Sequence, residues 1–317
     1  MSQYAGPVDH DTYGQYGPGN GFERGDGPVY PFQGRVTADG SSGFQAEPGR
    51  YHLYSGWFCP WAQRAVIVRT LKGLDDVVSL SYVDEGRDSR GWAFRERRGA
   101  DPVNGFRFLR EAYEATEPGY PGHISVPVLW DRTTGKIVSN DFPDITLDLN
   151  AAFGAWGNDL DLYPEALRPE IDALNAQVYD TVNTASSRVA GATTPQEYEE
   201  RRQALIATFE QLDARLADRR FLFGDRITEA DVRLWTTLVR FDLNDNPSAR
   251  ISERRLVDFP NLWAYARDLY QHPAFRDTTD FASFTYAGDA RTREPWRIAV
   301  EPYQADWDAP HGREKLT

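Results

Sequence analysis
The sequence predicts an α/β domain followed by an all-helical domain. Three observations lead there. A length of 317 residues, 40% of them hydrophobic and 13% aromatic, is enough for two ordinary cores. The run from Arg50 to Val83 reads as strand, helix, strand. From about Pro164 onward apolar residues recur at helical spacing, as in Leu205, Phe209, Leu212 and Leu216.

Residues 1–49 read as a Gly-rich arm. Tyr4, Tyr13, Tyr16, Phe22, Tyr30 and Phe32 recur along it. A solvated tail gains nothing from six aromatics, so the arm is expected to lie on the folded body. Residues 50–155 form the α/β domain. Arg50 to Ser55 alternates and is rich in β-formers, so it is a strand. Pro60 suits the first turn of a helix, where its missing N–H costs nothing. That helix places Ala65, Val66, Val68 and Leu71 on its apolar side. Val77 to Val83 is a second strand. Residues 84–122 are charged and rich in breakers, an insertion with a helical patch from Phe106 to Ala115. Ser125 to Trp130 is a short strand interrupted by Pro127, which fits an edge position or a strand-start turn, with a cis Val126–Pro127 bond. A turn at Arg132 to Lys136, a returning strand at Ile137–Val138 and a helix from about Asp141 complete the domain.

Residues 156–285 form the helical domain, and 286–317 a C-terminal tail. Tyr198 to Ala217 is one of its helices and Phe259 to Trp263 opens another. Thr228-Glu-Ala-Asp231 has the spacing of an N-terminal capping box, which explains its acidic pair without catalysis.

The net charge of −13 excludes nucleic acid and anionic membrane surfaces as expected partners. No apolar run approaches the ~20 residues that span a bilayer. The segment MSQYAGPVDHD has no basic and apolar stretch of the secretory kind. A cytoplasmic protein is expected. There is a single cysteine, so no intrachain disulfide and no Cys-rich zinc site can form. The five histidines show no metal-ligand spacing, and no metal is expected.

That cysteine, Cys59, sits between a strand and a helix that opens on Pro60. A helix N-terminus carries about half a positive charge and unpaired N–H groups. Both stabilise a thiolate, which is the nucleophilic form. A lone cysteine is more often a small buried hydrophobe. The Cys-Pro position and the downstream Val126-Pro127 favour the reactive reading, because a cis-proline loop faces the cysteine in thioredoxin-like folds. In a Cys-x-x-Cys protein a second cysteine would resolve a mixed disulfide; here that position is Ala62. Any disulfide at Cys59 must therefore be cleared by an external thiol.

Arg50 to Tyr54, Cys59-Pro-Trp-Ala62, Gly91-Trp92 and Val126 to Asp131 resemble the glutathionyl-hydroquinone reductases. So does Phe221 to Asp225 followed by Thr228 to Asp231, although the family often has tyrosine at the place of Phe221. These are the Xi-class glutathione transferases, akin to the omega class, and the similarity runs from about Val36 to Ala299. The resemblance implies a glutathione transferase fold: a thioredoxin-like domain, an all-helical domain and a homodimer. It also implies a reaction in which Cys59 attacks the sulfur of a thiol-conjugated (hydro)quinone or similar aromatic. The resulting mixed disulfide is opened by a second thiol. By position, Trp92 packs on the thiol cofactor and Val126, beside Pro127, pairs its backbone with the cysteinyl unit. Tyr179 and Tyr286 are candidate proton or hydrogen-bond donors to the departing aromatic oxygen.

The chain is a divergent member. The family usually has Arg where this chain has His123, and Glu-Ser where it has Asp141-Phe142. Those positions meet the two ends of glutathione, and His does not replace a bidentate Arg–carboxylate contact. Ser187 and a lone Tyr286 stand where further tyrosines are usual. The cofactor is expected to be glutathione or another low-molecular-weight thiol, and the changes at His123, Asp141 and Phe142 predict a pocket that prefers a thiol other than glutathione. Only three of the 35 basic residues are lysines, a mark of GC-rich genomes, and mycothiol is the thiol of GC-rich Gram-positive bacteria. A non-catalytic ligand-binding member of the fold is the remaining alternative.

Overall fold
The computed structural model describes residues 3–286 and 294–316 and divides the chain into two units, Met1–Leu160 and Asp161–Thr317. In the first, strands β1 (Tyr51–Ser55), β2 (Ser79–Tyr82), β3 (Val128–Asp131) and β4 (Lys136–Ser139) form one sheet in the order β2-β1-β3-β4. β2 runs parallel to β1, and β3 and β4 continue antiparallel. Leu53 lies opposite both Leu80 and Leu129. Helix α1 (Pro60–Leu71) makes the crossover from β1 to β2 and packs on α3 (Phe142–Ala151). Helix α2 (Arg110–Thr116) packs against β4. β1 is buried at all five positions, as befits a central strand covered on both faces.

Three boundaries differ from the sequence pattern for local reasons. Val77 and Val78 both donate to the Leu74 carbonyl in a turn, so β2 begins only at Ser79. Pro127 has no N–H, and β3 begins after it. The Asp101 carboxylate accepts the N–H groups of Val103, Asn104 and Phe106, which holds that stretch as a loop and delays α2 to Arg110.

The arm lies on this unit. Ala5 N–H donates to the Phe94 carbonyl, Glu23 to Pro121 and Gly34 to Val138. Phe32 packs edge-on against Tyr113.

His52 on β1 gives a testable pH response. It is fully buried, with Nδ1 2.7 Å from the Ser79 hydroxyl and Nε2 2.8 Å from that of Ser81. Burial lowers its pKa from 6.5 to about 4. The unfolded chain therefore binds the extra proton first, and stability present at neutral pH is lost as pH falls from 6.5 toward 4. Urea unfolding across that range should show a falling midpoint, with a shallower fall in His52→Gln.

The second unit is helical: α4 (Arg168–Val178), α5 (Ala185–Ala190), α6 (Pro195–Arg215), α7 (Glu229–Arg240) and α8 (Pro260–Gln271), with shorter turns between. Thr194 caps α6 by accepting the Glu197 N–H. The Thr228/Asp231 capping box opens α7, whose residues are buried nearly all round. Two π-helical turns, Tyr179–Asn183 and Phe241–Asp245, follow α4 and α7.

Candidate active site
Cys59 is the N-cap residue of α1, in extended backbone conformation, with Pro60 in the first turn. Its N–H donates to the Gly56 carbonyl and its own carbonyl accepts the Gln63 N–H, each at 3.0 Å, so the residue is pinned from both sides. Cys59 is 8% exposed, and its thiol lies 3.8 Å from the Val126 carbonyl oxygen. The Val126–Pro127 bond is cis, as the sequence suggests. The Val126 N–H enters no backbone hydrogen bond among the described residues.

Trp92 lies beside the cysteine loop, its ring 4.3 Å from that of Phe58 between centroids. On it sits Arg87, with Cζ 4.0 Å from the Trp92 ring centroid and 4.1 Å from that of Tyr16. The Tyr16 hydroxyl is 3.1 Å from His123 Nδ1 and accepts the Ile124 N–H. Phe22 meets the His123 ring edge-on. Burial, and then the charge of Arg87, lowers the His123 pKa to about 4, so this imidazole is neutral at pH 7.

Asp141 and Phe142 open α3. The Phe142 ring packs on Trp61 at 4.9 Å, two residues after Cys59, and Arg64 lies over both rings. Asp141 Oδ2 accepts a long hydrogen bond from Gln33. Its Oδ1 is buried and accepts none among the described residues. Burial, reinforced by Asp144, raises the Asp141 pKa.

Cys59, Trp92 and Val126 thus share one apolar cluster. His123 joins Trp92 through Arg87 and Tyr16, and Asp141-Phe142 reaches the start of α1 through Trp61. Tyr179 and Tyr286 belong to the helical unit. Tyr179 is 42% exposed and opens the first π-helical turn. Half-buried Tyr286 donates its N–H to the Leu243 carbonyl inside the second. Such turns are frequent at functional sites. Arg87 has no mark in the sequence pattern: it stands in a charged insertion, and its partner Tyr16 is far away in the chain. Among the described residues no group of three or more His, Cys, Asp or Glu could hold a metal, and no helix is long and apolar enough to cross a membrane.

A cysteine at a helix start opposite a cis-proline, followed by a helical unit, defines the chain as a glutathione transferase of the cysteine type. Two family models agree: glutathione S-transferase, N-terminal domain, matches residues 58–152, and glutathione S-transferase, C-terminal domain, matches 195–268. The glutathionyl-hydroquinone reductase YqjG of Escherichia coli (strain K12) is 38% identical over 328 residues, covering 99% of each chain. The glutathionyl-hydroquinone reductase PcpF of Sphingobium chlorophenolicum is 42% identical over 269 residues, covering 83% of this chain and 86% of its own. Among solved structures, glutathione-bound YqjG from E. coli K-12 superposes with a TM-score of 0.82 at 38% identity, over 90% of this chain and 96% of that one. A Xi-class transferase from Natrialba magadii gives 0.82 at 37% identity, over 90% and 91%. The chain belongs to the glutathionyl-hydroquinone reductase family, the Xi-class glutathione transferases, and is a glutathione-transferase-like reductase enzyme.

Proposed function
We propose that the chain reduces glutathionyl-hydroquinones, with Cys59 as the nucleophile. The observation that carries this is the placement of its single cysteine at the α1 N-terminus, facing the Val126 main chain. With no second cysteine to resolve it, a mixed disulfide there requires a free thiol as co-substrate. The Cys59 thiolate attacks the thioether sulfur and a Cys59–glutathione disulfide forms. The carbon–sulfur bond breaks, its electron pair passes to the ring, and a proton completes the released hydroquinone. A second glutathione thiolate then attacks the mixed disulfide, regenerating Cys59 and releasing glutathione disulfide. The ring carbon gains two electrons, and two glutathione sulfurs supply them.

Trp92 packs on the thiol, and the Val126 N–H pairs with its cysteinyl carbonyl. The buried Asp141 Oδ1, short of a donor, suits the ammonium of a γ-glutamyl group. Mycothiol carries no charged group, so this carboxylate weighs for glutathione over mycothiol despite the changes at His123 and Phe142. Family resemblance also supports a cytoplasmic homodimer. The test is steady-state reduction of a glutathionyl-hydroquinone with glutathione and with mycothiol. Turnover with glutathione supports the reading, and turnover with mycothiol alone overturns it.

Tyr179 and Tyr286 are the proposed hydrogen-bond donors to the hydroquinone oxygen. A phenol hydroxyl can donate such a hydrogen bond. Tyr179→Phe and Tyr286→Phe should each lower kcat/KM by about tenfold or more, some 1.4 kcal/mol. A smaller change would make them packing residues of the helical unit.

A further inference from the structure
Arg87 is a half-buried cation held in place by other residues and, among the described residues, left without an anion. Its guanidinium is clamped between the Trp92 and Tyr16 rings. No carboxylate and no hydrogen-bond acceptor among the described residues meets it. The loop that carries it is tied to the arm just after Arg87. The buried Asp88 carboxylate accepts the Asp9 N–H and a two-pronged contact from Arg90. Ser89 N–H donates to the Gly14 carbonyl. Gly21, at φ +117, lets the arm pass close: a Cβ there would lie 2.7 Å from the Tyr16 ring and 2.9 Å from the Ser89 carbonyl oxygen. Burial lowers the Arg87 pKa, and the nearby Tyr16 and Cys59 oppose that. Neutral His123, the neighbour of Tyr16, supplies no charge of its own. Arg110 is engaged elsewhere, donating to the Gly21 carbonyl.

We propose that Arg87, presented on the Trp92 face by the arm residue Tyr16, receives a carboxylate of the thiol cofactor and selects for a carboxylate-bearing thiol. Two flat aromatic faces fix the plane of the guanidinium without consuming its N–H donors, which leaves the fork free for a bidentate contact. This rests on the glutathione reading above, and it assigns to Arg87 the charge that His123 lacks.

Calorimetric binding to the full-length Cys59→Ser protein, which cannot form the mixed disulfide, tests it with glutathione and with glutathione diethyl ester, in which both carboxylates are blocked. Arg87→Met in that background should weaken glutathione binding about 10- to 100-fold and shrink the preference for glutathione over the diester by a similar factor. Arg87→Lys should fall between, since lysine keeps the charge and loses the fork. Should Arg87→Met not fold, Arg87→Gln carries the same comparison. Unchanged glutathione affinity, or an unchanged preference over the diester, overturns the assignment of Arg87 alone. Failure of the Cys59→Ser parent to bind glutathione overturns the glutathione reading, and this assignment with it.

Discussion
Replacing Cys59 with serine should reduce turnover by at least ~10³-fold while the protein stays folded. Serine is close to cysteine in volume, and its hydroxyl can donate to the Val126 carbonyl that the thiol now approaches. Cys59 is a small part of its cluster, which is held by larger buried neighbours such as Tyr54, Phe94, Tyr113 and Trp130. The melting temperature should therefore change by no more than about 3 °C. The loss is chemical. A hydroxyl at neutral pH is far less ionised than a thiol, and the helix terminus that stabilises a thiolate cannot close that gap. Activity within tenfold of the parent would remove Cys59 from the mechanism. Unfolding of the variant would show that its role is packing.

The second large effect concerns stability. Asp231 is fully buried and accepts four hydrogen bonds: from the N–H groups of Leu222 (3.0 Å) and Thr228 (2.7 Å), the Thr228 hydroxyl (2.8 Å) and the Tyr265 hydroxyl (2.9 Å). One carboxylate thus caps α7, anchors the loop before it and ties both to α8. Asp231→Ala leaves these donors buried without an acceptor and opens a small void. The expected cost is ~3–5 kcal/mol, or roughly 10 °C in melting temperature. Asp231→Asn keeps one acceptor oxygen and should cost less. The Asp231→Ala protein that remains folded should keep its kcat at low temperature, because the carboxylate is used up in structure. A stability change under ~1 kcal/mol would contradict this account of the capping box.

The place of Cys59 before Pro60 and the Thr228/Asp231 capping box were legible in the sequence because their signals are local. Alternation through Tyr54, the Cys59-Pro60 step and the helical spacing of Ala65 and Val68 all lie within one strand–turn–helix. Thr228 and Asp231 are three residues apart. What could not be read depends on distant pairing. The aromatics of the arm hinted that it would pack, but nothing said that Tyr16 would meet His123, 107 residues on, or that Arg87 would lie between Tyr16 and Trp92. Nor did anything say that Arg110 would be taken by the arm through the Gly21 carbonyl. The π-helical turns at Tyr179 and Phe241 were equally hidden, since no residue type marks an extra residue in a helical turn. Helix α2 starts late because a side chain, Asp101, competes for backbone N–H groups, which a periodicity argument does not weigh.

The central claim is that Cys59 takes the glutathionyl group from the aromatic ring. Intact mass of the protein, quenched after mixing with a stoichiometric glutathionyl-hydroquinone and no free thiol, tests this directly. The account predicts a gain of one glutathionyl group at Cys59, release of one hydroquinone, and loss of the adduct when glutathione is added. An unmodified protein beside released hydroquinone, or an adduct carrying the aromatic ring, would contradict it.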